Sequence, residues 1–306
     1  MKQNVTISVS EETLTKIQEC YQNDLVTAKG EYILFKAQVN GVIITAFSSK
    51  KSKHKVVFMG DEALEEARRW DLDAQVNIPK EKENKKWLYF GDQIGSDEVG
   101  VGDFLLPMIV VAAFLEKKDY KVLTSLGVRD SKQLTDQKIL EIGPKLVKHF
   151  KFSKLTITNQ KYNEMVAQGE NLNSLKAKMH NRALYNLCKE YPDVNNIFID
   201  QFVNEKTYYR YLENDTDPIV RNILFRTKGE SYFPCVALAS VIARYAFLLE
   251  KAKLEEQYQV TFPFGASNKA TTFAKSFVEK HGLEELAKIA KKNFANYREV
   301  INDALL

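Results

Sequence analysis

Residues 87–115 read WLYFGDQIGSDEVGVGDFLLPMIVVAAFL, two apolar runs separated by a short segment of acids and glycines. Both runs fall short of a membrane span, and their Val, Ile, Phe and Tyr content reads as two long, well-buried strands, WLYFGDQIGSD and FLLPMIVVAAFL. Between them stand two adjacent carboxylates, Asp97 and Glu98, and a Gly-x-Gly loop, Gly100-Val101-Gly102. A solvated turn uses these residue types. So does a metal site beside a cradle lined by backbone, and the rest of the chain has to decide.

Downstream, the strand-like segments FSKLTIT, NIFID and ILFRTK alternate with helical stretches. The helices are QKILEIGPKLVKHF, NLNSLKAKMHNRALYNLCKEY, EKTYYRYL and the long FPCVALASVIARYAFLLEKAKLEEQY, with amphipathic TTFAKSFVEKHG and LEELAKIAKK after them. Strands joined by a short connection, then strands alternating with helices, predict a mixed α/β sheet flanked by helices.

Upstream, residues 1–70 read as a small α+β unit of order β-α-β-β-β-α. Val5, Ile7 and Val9 alternate, and Ser10 caps a helix whose first turn holds Glu11 and Glu12. Asn40-Gly41 is a strong hairpin signal between YILFKAQV and VIITAFSS. Lys50, Lys51, Lys53 and Lys55 form either a solvated loop or a strip that contacts phosphates. Residues 71–87, DLDAQVNIPKEKENKKW, read as a charged linker, which leaves 88–306 as a second domain with C-terminal helices.

The 306 residues carry 44 Lys and Arg against 40 Asp and Glu, a net charge of +4 that permits a nucleic-acid partner without requiring one. Three scattered cysteines exclude a disulfide framework and a cysteine zinc site, and the four histidines lack ligand spacing. MKQNVTISVSEETL has no apolar core of a signal peptide, so a cytoplasmic protein without a membrane segment is expected.

Asp97 ends the first long strand, Asp200 ends NIFI, and Glu230 follows ILFRTKG just before the longest helix. Acids at strand ends can converge in one crevice, although each alone also suits a cap or turn. Four ionised carboxylates repel one another, and Mg2+ or Mn2+, as a pair of divalent ions, would relieve that repulsion. The position where a dinucleotide loop needs its third Gly is Leu105, and neither a Walker loop nor a Gly-x-Ser-x-Gly elbow occurs. An organic nucleotide cofactor is therefore not expected.

GSDEVGVGDF, GVRDSKQLTD, YNEM with NLNSLKAKMHNRAL, IDQF and KGESYFPCVALASVIAR, in this order, resemble the bacterial ribonuclease HIII family. The resemblance implies an RNase H-like sheet preceded by a TATA-binding-protein-like domain that grips an RNA/DNA hybrid. It implies two-metal hydrolysis of the RNA strand, leaving 3′-hydroxyl and 5′-phosphate ends. One set of acids on one chain needs no partner, so a monomer is expected. The family's Asp-Glu-Asp-Glu ligands match Asp97, Glu98, Asp200 and Glu230. Gly100, Val101 and Gly102 would approach 2′-hydroxyls, and Ser131 and Lys132 would bind phosphate. Val101 stands where the related ribonuclease HII has Arg, and Phe104-Leu105-Leu106-Pro107 replaces the usual Tyr-Phe-Gly-Pro. A ribonuclease HII-like preference for single embedded ribonucleotides, or a non-catalytic binding protein, remains open on the sequence.

Overall fold

The computed structural model describes residues 3–28, 30, 32–48, 53–77, 87–128 and 134–304. The chain forms two compact units, Met1–Asn84 and Lys85–Leu306. Among the described residues no helix is long and apolar enough to cross a membrane.

In the first unit, strands β1 (Gln3–Val9), β2 (Ile33–Val39), β3 (Val42–Phe47) and β4 (His54–Gly60) pair antiparallel in the order β1-β4-β3-β2. Their inward positions, among them Val5, Ile7, Phe35, Ile44, Val56 and Phe58, bury one face of the sheet. Helices α1 (Glu11–Cys20) and α2 (Ala63–Arg68) supply Leu14, Ile17, Ala63 and Ala67 to the same core. Ser10 caps α1 by accepting from the Thr13 N–H at 3.2 Å. Asn40 and Gly41, with φ of 47° and 77°, make the β2–β3 turn, which needs positive φ at both positions.

Part of the segment read as linker belongs here instead. Val76 bridges to Val5, and the Asn77 side chain donates to Asn4 Oδ1 at 3.0 Å and Thr6 Oγ1 at 2.9 Å. The polar composition of 71–77 therefore reflects an edge that hydrogen-bonds β1 rather than a free joint. Trp87, at the far end of the expected linker, is buried in the second unit.

The second unit is built on a five-stranded mixed sheet of order β7-β6-β5-β8-β9. Its strands are β5 (Gln93–Val99), β6 (Met108–Leu115), β7 (Lys151–Ile157), β8 (Ile197–Asp200) and β9 (Ile223–Arg226). β6 runs antiparallel to both neighbours, whereas β8 is parallel to β5 and to β9. All eight residues of β6 are buried because helices cover both faces.

On one face Ile109, Val111, Ala113 and Leu115 pack against α8 (Pro234–Tyr258) and share one core with α4 (Asp136–His149), α9 (Asn268–His281), α10 (Leu283–Ile289) and α11 (Ala295–Ala304). On the other, Met108, Val110, Ala112 and Phe114 pack against α6 (Leu172–Glu190) and share a core with α5 (Asn159–Ala167) and α7 (Glu205–Leu212). A short α3 (Tyr120–Ser125) follows β6.

Both long strands come out shorter than their apolar runs. β5 starts at Gln93, because Leu88 N–H bonds the Tyr232 carbonyl (2.9 Å) and Trp87 packs on Tyr120 instead of entering a ladder. β6 starts at Met108, since Phe104, Leu105 and Leu106 form a buried loop and Pro107 has no N–H to give a ladder.

Gly95 sets the distance between β5 and α8. A Cβ there would overlap Cys235 Sγ and lie 2.8 Å from the Val236 main-chain nitrogen. Gly95→Ala should therefore cost about 1–3 kcal/mol by forcing the helix off the sheet. Urea unfolding measures it, with the midpoint falling and the slope unchanged.

Candidate functional site

The β5–β8 pairing puts Ser96 opposite Ile199, so the next residues, Asp97 and Asp200, lie side by side. Asp200 ends β8, whereas Asp97, expected at a strand end, is followed by Glu98 and Val99, which continue the ladder with β6. The face each acid takes follows from the pleat. Gly95 touches α8, so Asp97, two residues on, turns to α8 as well, where the Ser240 hydroxyl bonds its carboxyl. Ser96 points the other way and bonds His180 Nδ1 at 2.8 Å, and Glu98 shares that α6 side. Adjacent in sequence, Asp97 and Glu98 serve opposite faces.

Asp97 is only 8% exposed. Burial, with repulsion from Glu98 and Asp200, lifts its carboxyl well above the ordinary carboxylate range, against the opposing bonds from Ser240 and the Glu98 N–H (2.8 Å). Glu98 behaves oppositely. Burial would raise it too, but His180 Nε2 at 3.0 Å and an ion pair with Lys176 outweigh burial and hold it below the usual range. Lys176 also lies 4.0 Å over the Phe202 ring.

Asp200 Oδ1 accepts the Gly229 N–H at 2.8 Å, and a Cβ on Gly229 would sit 3.2 Å from Asp200 Cα. That close approach brings the 3-10 turn Gly229–Ser231, and with it the buried Glu230, against the end of β8. Lys228, at φ 60°, makes the left-handed bend into the turn.

A cavity of about 320 Å³ opens beside Glu98 and Ser240 and reaches Arg244. Asp136 holds that guanidinium at both ends, at 2.9 and 2.8 Å.

The four predicted acids thus come from β5, β8 and the turn after β9, and gather at the carboxyl ends of neighbouring strands. Among the described residues no group of three or more His, Cys, Asp or Glu is drawn tightly enough to hold an ion as the side chains stand. Glu98 is turned to Lys176 and His180, and the other three acids do not close into a group of three either. The donors are nevertheless all hard carboxylate oxygens, the chemistry that Mg2+ and Mn2+ select, and Asp97 sits in repulsion that a cation would relieve. In that sense the set fits a divalent ion.

Gly100, Val101 and Gly102 follow β5 directly. The two glycines differ in what the fold asks of them. Gly100 has φ +82°, and a Cβ would overlap the Pro107 carbonyl oxygen and come within 2.9 Å of the Phe247 ring. Gly102 has no left-handed φ, is exposed, and a Cβ there would meet no described atom within 4 Å. Ser131 and Lys132 lie outside the described residues, as do Lys50 and Lys51.

Lys176, His180 and Ser240 were not singled out from the sequence. The signal available was a Lys and a His four apart, and so on one face, of a helix whose buried positions are mostly apolar.

A model of the ribonuclease HII family matches residues 94–297, and a family described only as a domain of unknown function, DUF3378, matches residues 4–84. The chain is similar to ribonuclease HIII of Bacillus licheniformis, with 35% identity over 302 residues, 95% of each chain. Ribonuclease HIII of Enterococcus faecalis is 37% identical over 304 residues, 97% of each chain. A crystal structure of Bst-RNase HIII in complex with Mn2+ aligns with a TM-score of 0.68 and 30% identity, covering 98% of this chain and 99% of that one.

The glycine pair gives a stability prediction. Gly100→Ala should lose about 2–4 kcal/mol from strain and overlap, whereas Gly102→Ala should stay within about 0.5 kcal/mol of wild type. Paired urea melts decide it, and equal losses would remove the distinction.

Proposed function

The chain belongs to the ribonuclease HII family, and from that premise we propose that it is a hybrid-cleaving ribonuclease H whose four strand-end acids do the work. It would cut the RNA strand internally and leave 3′-hydroxyl and 5′-phosphate ends. Asp97, Glu98, Asp200 and Glu230 would hold two divalent ions, Mg2+ or Mn2+. The observation that carries the reading is Asp97, buried where β5 meets β8 beside Asp200, its carboxyl driven up by burial first and then by Glu98 and Asp200.

When bound, such ions would supply an acidified water and neutralise charge on the departing 3′ oxygen. The chain's own groups fix the geometry. Ser240 and the Glu98 N–H orient Asp97, and Gly229 N–H holds one oxygen of Asp200. Lys176 and His180 keep Glu98 ionised. All four acids lie on one chain, so a single copy would carry the whole ligand set.

The exposed, side-chain-free Gly102 lets a strand approach the loop backbone, where main-chain groups can meet 2′-hydroxyls, the feature that separates RNA from DNA. The open face of the first unit's sheet would hold the duplex. It mixes Lys36 and Lys55 with Leu34, Thr45 and Met59, opposite the positions that form the core. Lysines there suit backbone phosphates without reading sequence.

A labelled RNA annealed to DNA, the same RNA alone and a matching DNA duplex test the reading, each with Mg2+, Mn2+ or chelator. Wild type should cut only the hybrid, internally and only with metal. Asp97→Asn should lower the rate by roughly three orders of magnitude or more, the scale of about 4 kcal/mol of transition-state stabilisation, while binding the hybrid nearly as well. Binding without cutting under either metal would sink the proposal.

A further inference from the structure

Lys291 takes no part in the chemistry above, yet it is one of the most buried residues in the chain, with 0% exposure. It follows α10 in the segment Ala290-Lys291-Lys292-Asn293 and makes no ion pair with an acid among the described residues. Its Nζ donates to the carbonyls of Gly100 (2.9 Å), Leu106 (2.6 Å) and Asp103, and its main-chain N–H donates to the Phe104 carbonyl at 2.9 Å. An ammonium has three donors and no acceptor, so one loop takes every proton it has.

Such a position is costly. Burial pulls the ammonium down to about 7, opposed by the charge of Asp103. An apolar side chain of similar length would pack without that penalty, so packing alone does not account for a lysine here. The carbonyls do account for it. Residues 100, 103 and 106 turn them inward around one cation, which fixes the curvature of the loop between β5 and β6. Asp103 adds a tie, its Oδ1 accepting the Gly265 N–H at 2.6 Å, and Phe104 N–H bonds the Gly265 carbonyl at 3.0 Å. With those groups committed inward, the exposed part of the loop is Gly102, beside half-buried Val101.

We propose that Lys291 is a positioning residue for RNA recognition: its buried ammonium templates the Gly100–Leu106 loop so that the main chain of Val101 and Gly102 meets the 2′-hydroxyls beside the scissile phosphate. The inference rests on the ribonuclease reading above. It differs from a general stabilising role because it couples Lys291 to one chemical group of the substrate.

The test pairs protein variants with substrate variants. Wild type, Lys291→Gln and Lys291→Met are compared on a hybrid whose preferred cut has been mapped. A second hybrid carries a single 2′-deoxy nucleotide next to that cut. Single-turnover rates are read for all six combinations, after circular dichroism confirms folding.

Wild type should lose about tenfold or more from the deoxy substitution, roughly 1.4 kcal/mol of lost recognition. Lys291→Met should cut the all-ribose strand about tenfold more slowly and lose less than about threefold further from the deoxy change, with Lys291→Gln between. Equal slowing on both strands would mean a structural role only, and a Lys291→Met rate within about twofold of wild type would remove any role; either overturns the proposal.

A wild type that cuts neither hybrid overturns the ribonuclease reading itself, and the inference falls with it. Should both variants fail to fold, hydrogen exchange on the wild type decides. The Asp103 and Phe104 amides should exchange as slowly as those of β6, and rapid exchange there overturns the proposal.

Discussion

The absence of a side chain at Gly95 lets α8 lie directly against β5, and the geometry of the acids depends on that contact. Three links define it. The Gln93 side chain accepts the Cys235 N–H at 3.1 Å at the start of the helix, Gly95 faces Val236 without a Cβ between, and Ser240 reaches Asp97 further along. A helix N-terminus has unsatisfied N–H groups, and Pro234 at the first position leaves fewer for Gln93 to meet. The same helix that buries the sheet thereby orients one of its carboxylates. Stability and site share a single interface, so the rigid element carrying Asp97 is also the one least free to relax around it.

The pleat then divides the charges. Asp97, facing α8, is offset by a hydroxyl and an amide, neither of which carries a full positive charge. Glu98, facing α6, has an ammonium and an imidazole. Two neighbouring carboxylates are thus placed in opposite electrostatic states by a two-residue period alone. Since a buried carboxylate with a cationic partner is content to stay ionised and one without is not, the α8 side of the strand ends is where an added cation gains most.

Much of this fold was legible, for identifiable reasons. Val5, Ile7 and Val9 alternate because one face of β1 meets helices and the other does not, and Asn40-Gly41 announces a turn that needs two positive φ values. Asp200 could be placed at a strand end because the apolar NIFI before it is short and unbroken. The boundaries at Trp87 and Phe104 misled for the converse reason: a buried loop and a buried strand are equally apolar, and periodicity cannot tell them apart. Lys176 and Lys291 were opaque because a lysine on a helix or in a charged tail reads as solvated until its surroundings are known.

Those two lysines show how one residue type performs different work under burial. Lys176 meets a carboxylate and an aromatic face, so its charge is balanced by charge, and what it changes is the protonation of Glu98. Lys291 meets three carbonyls, whose dipoles offer directional acceptors and no net charge, and what it changes is the path of the backbone. The difference bears on why Phe104-Leu105-Leu106 leaves the strand. Extended along β6, residues 104–106 would direct successive carbonyls to alternate sides; wrapped around an ammonium, the 100–106 segment turns three carbonyls to one centre. Hydrophobic burial is available to those residues in either path; Pro107 removes a ladder donor just before β6, and the ammonium gives the loop carbonyls a common centre in the path they take.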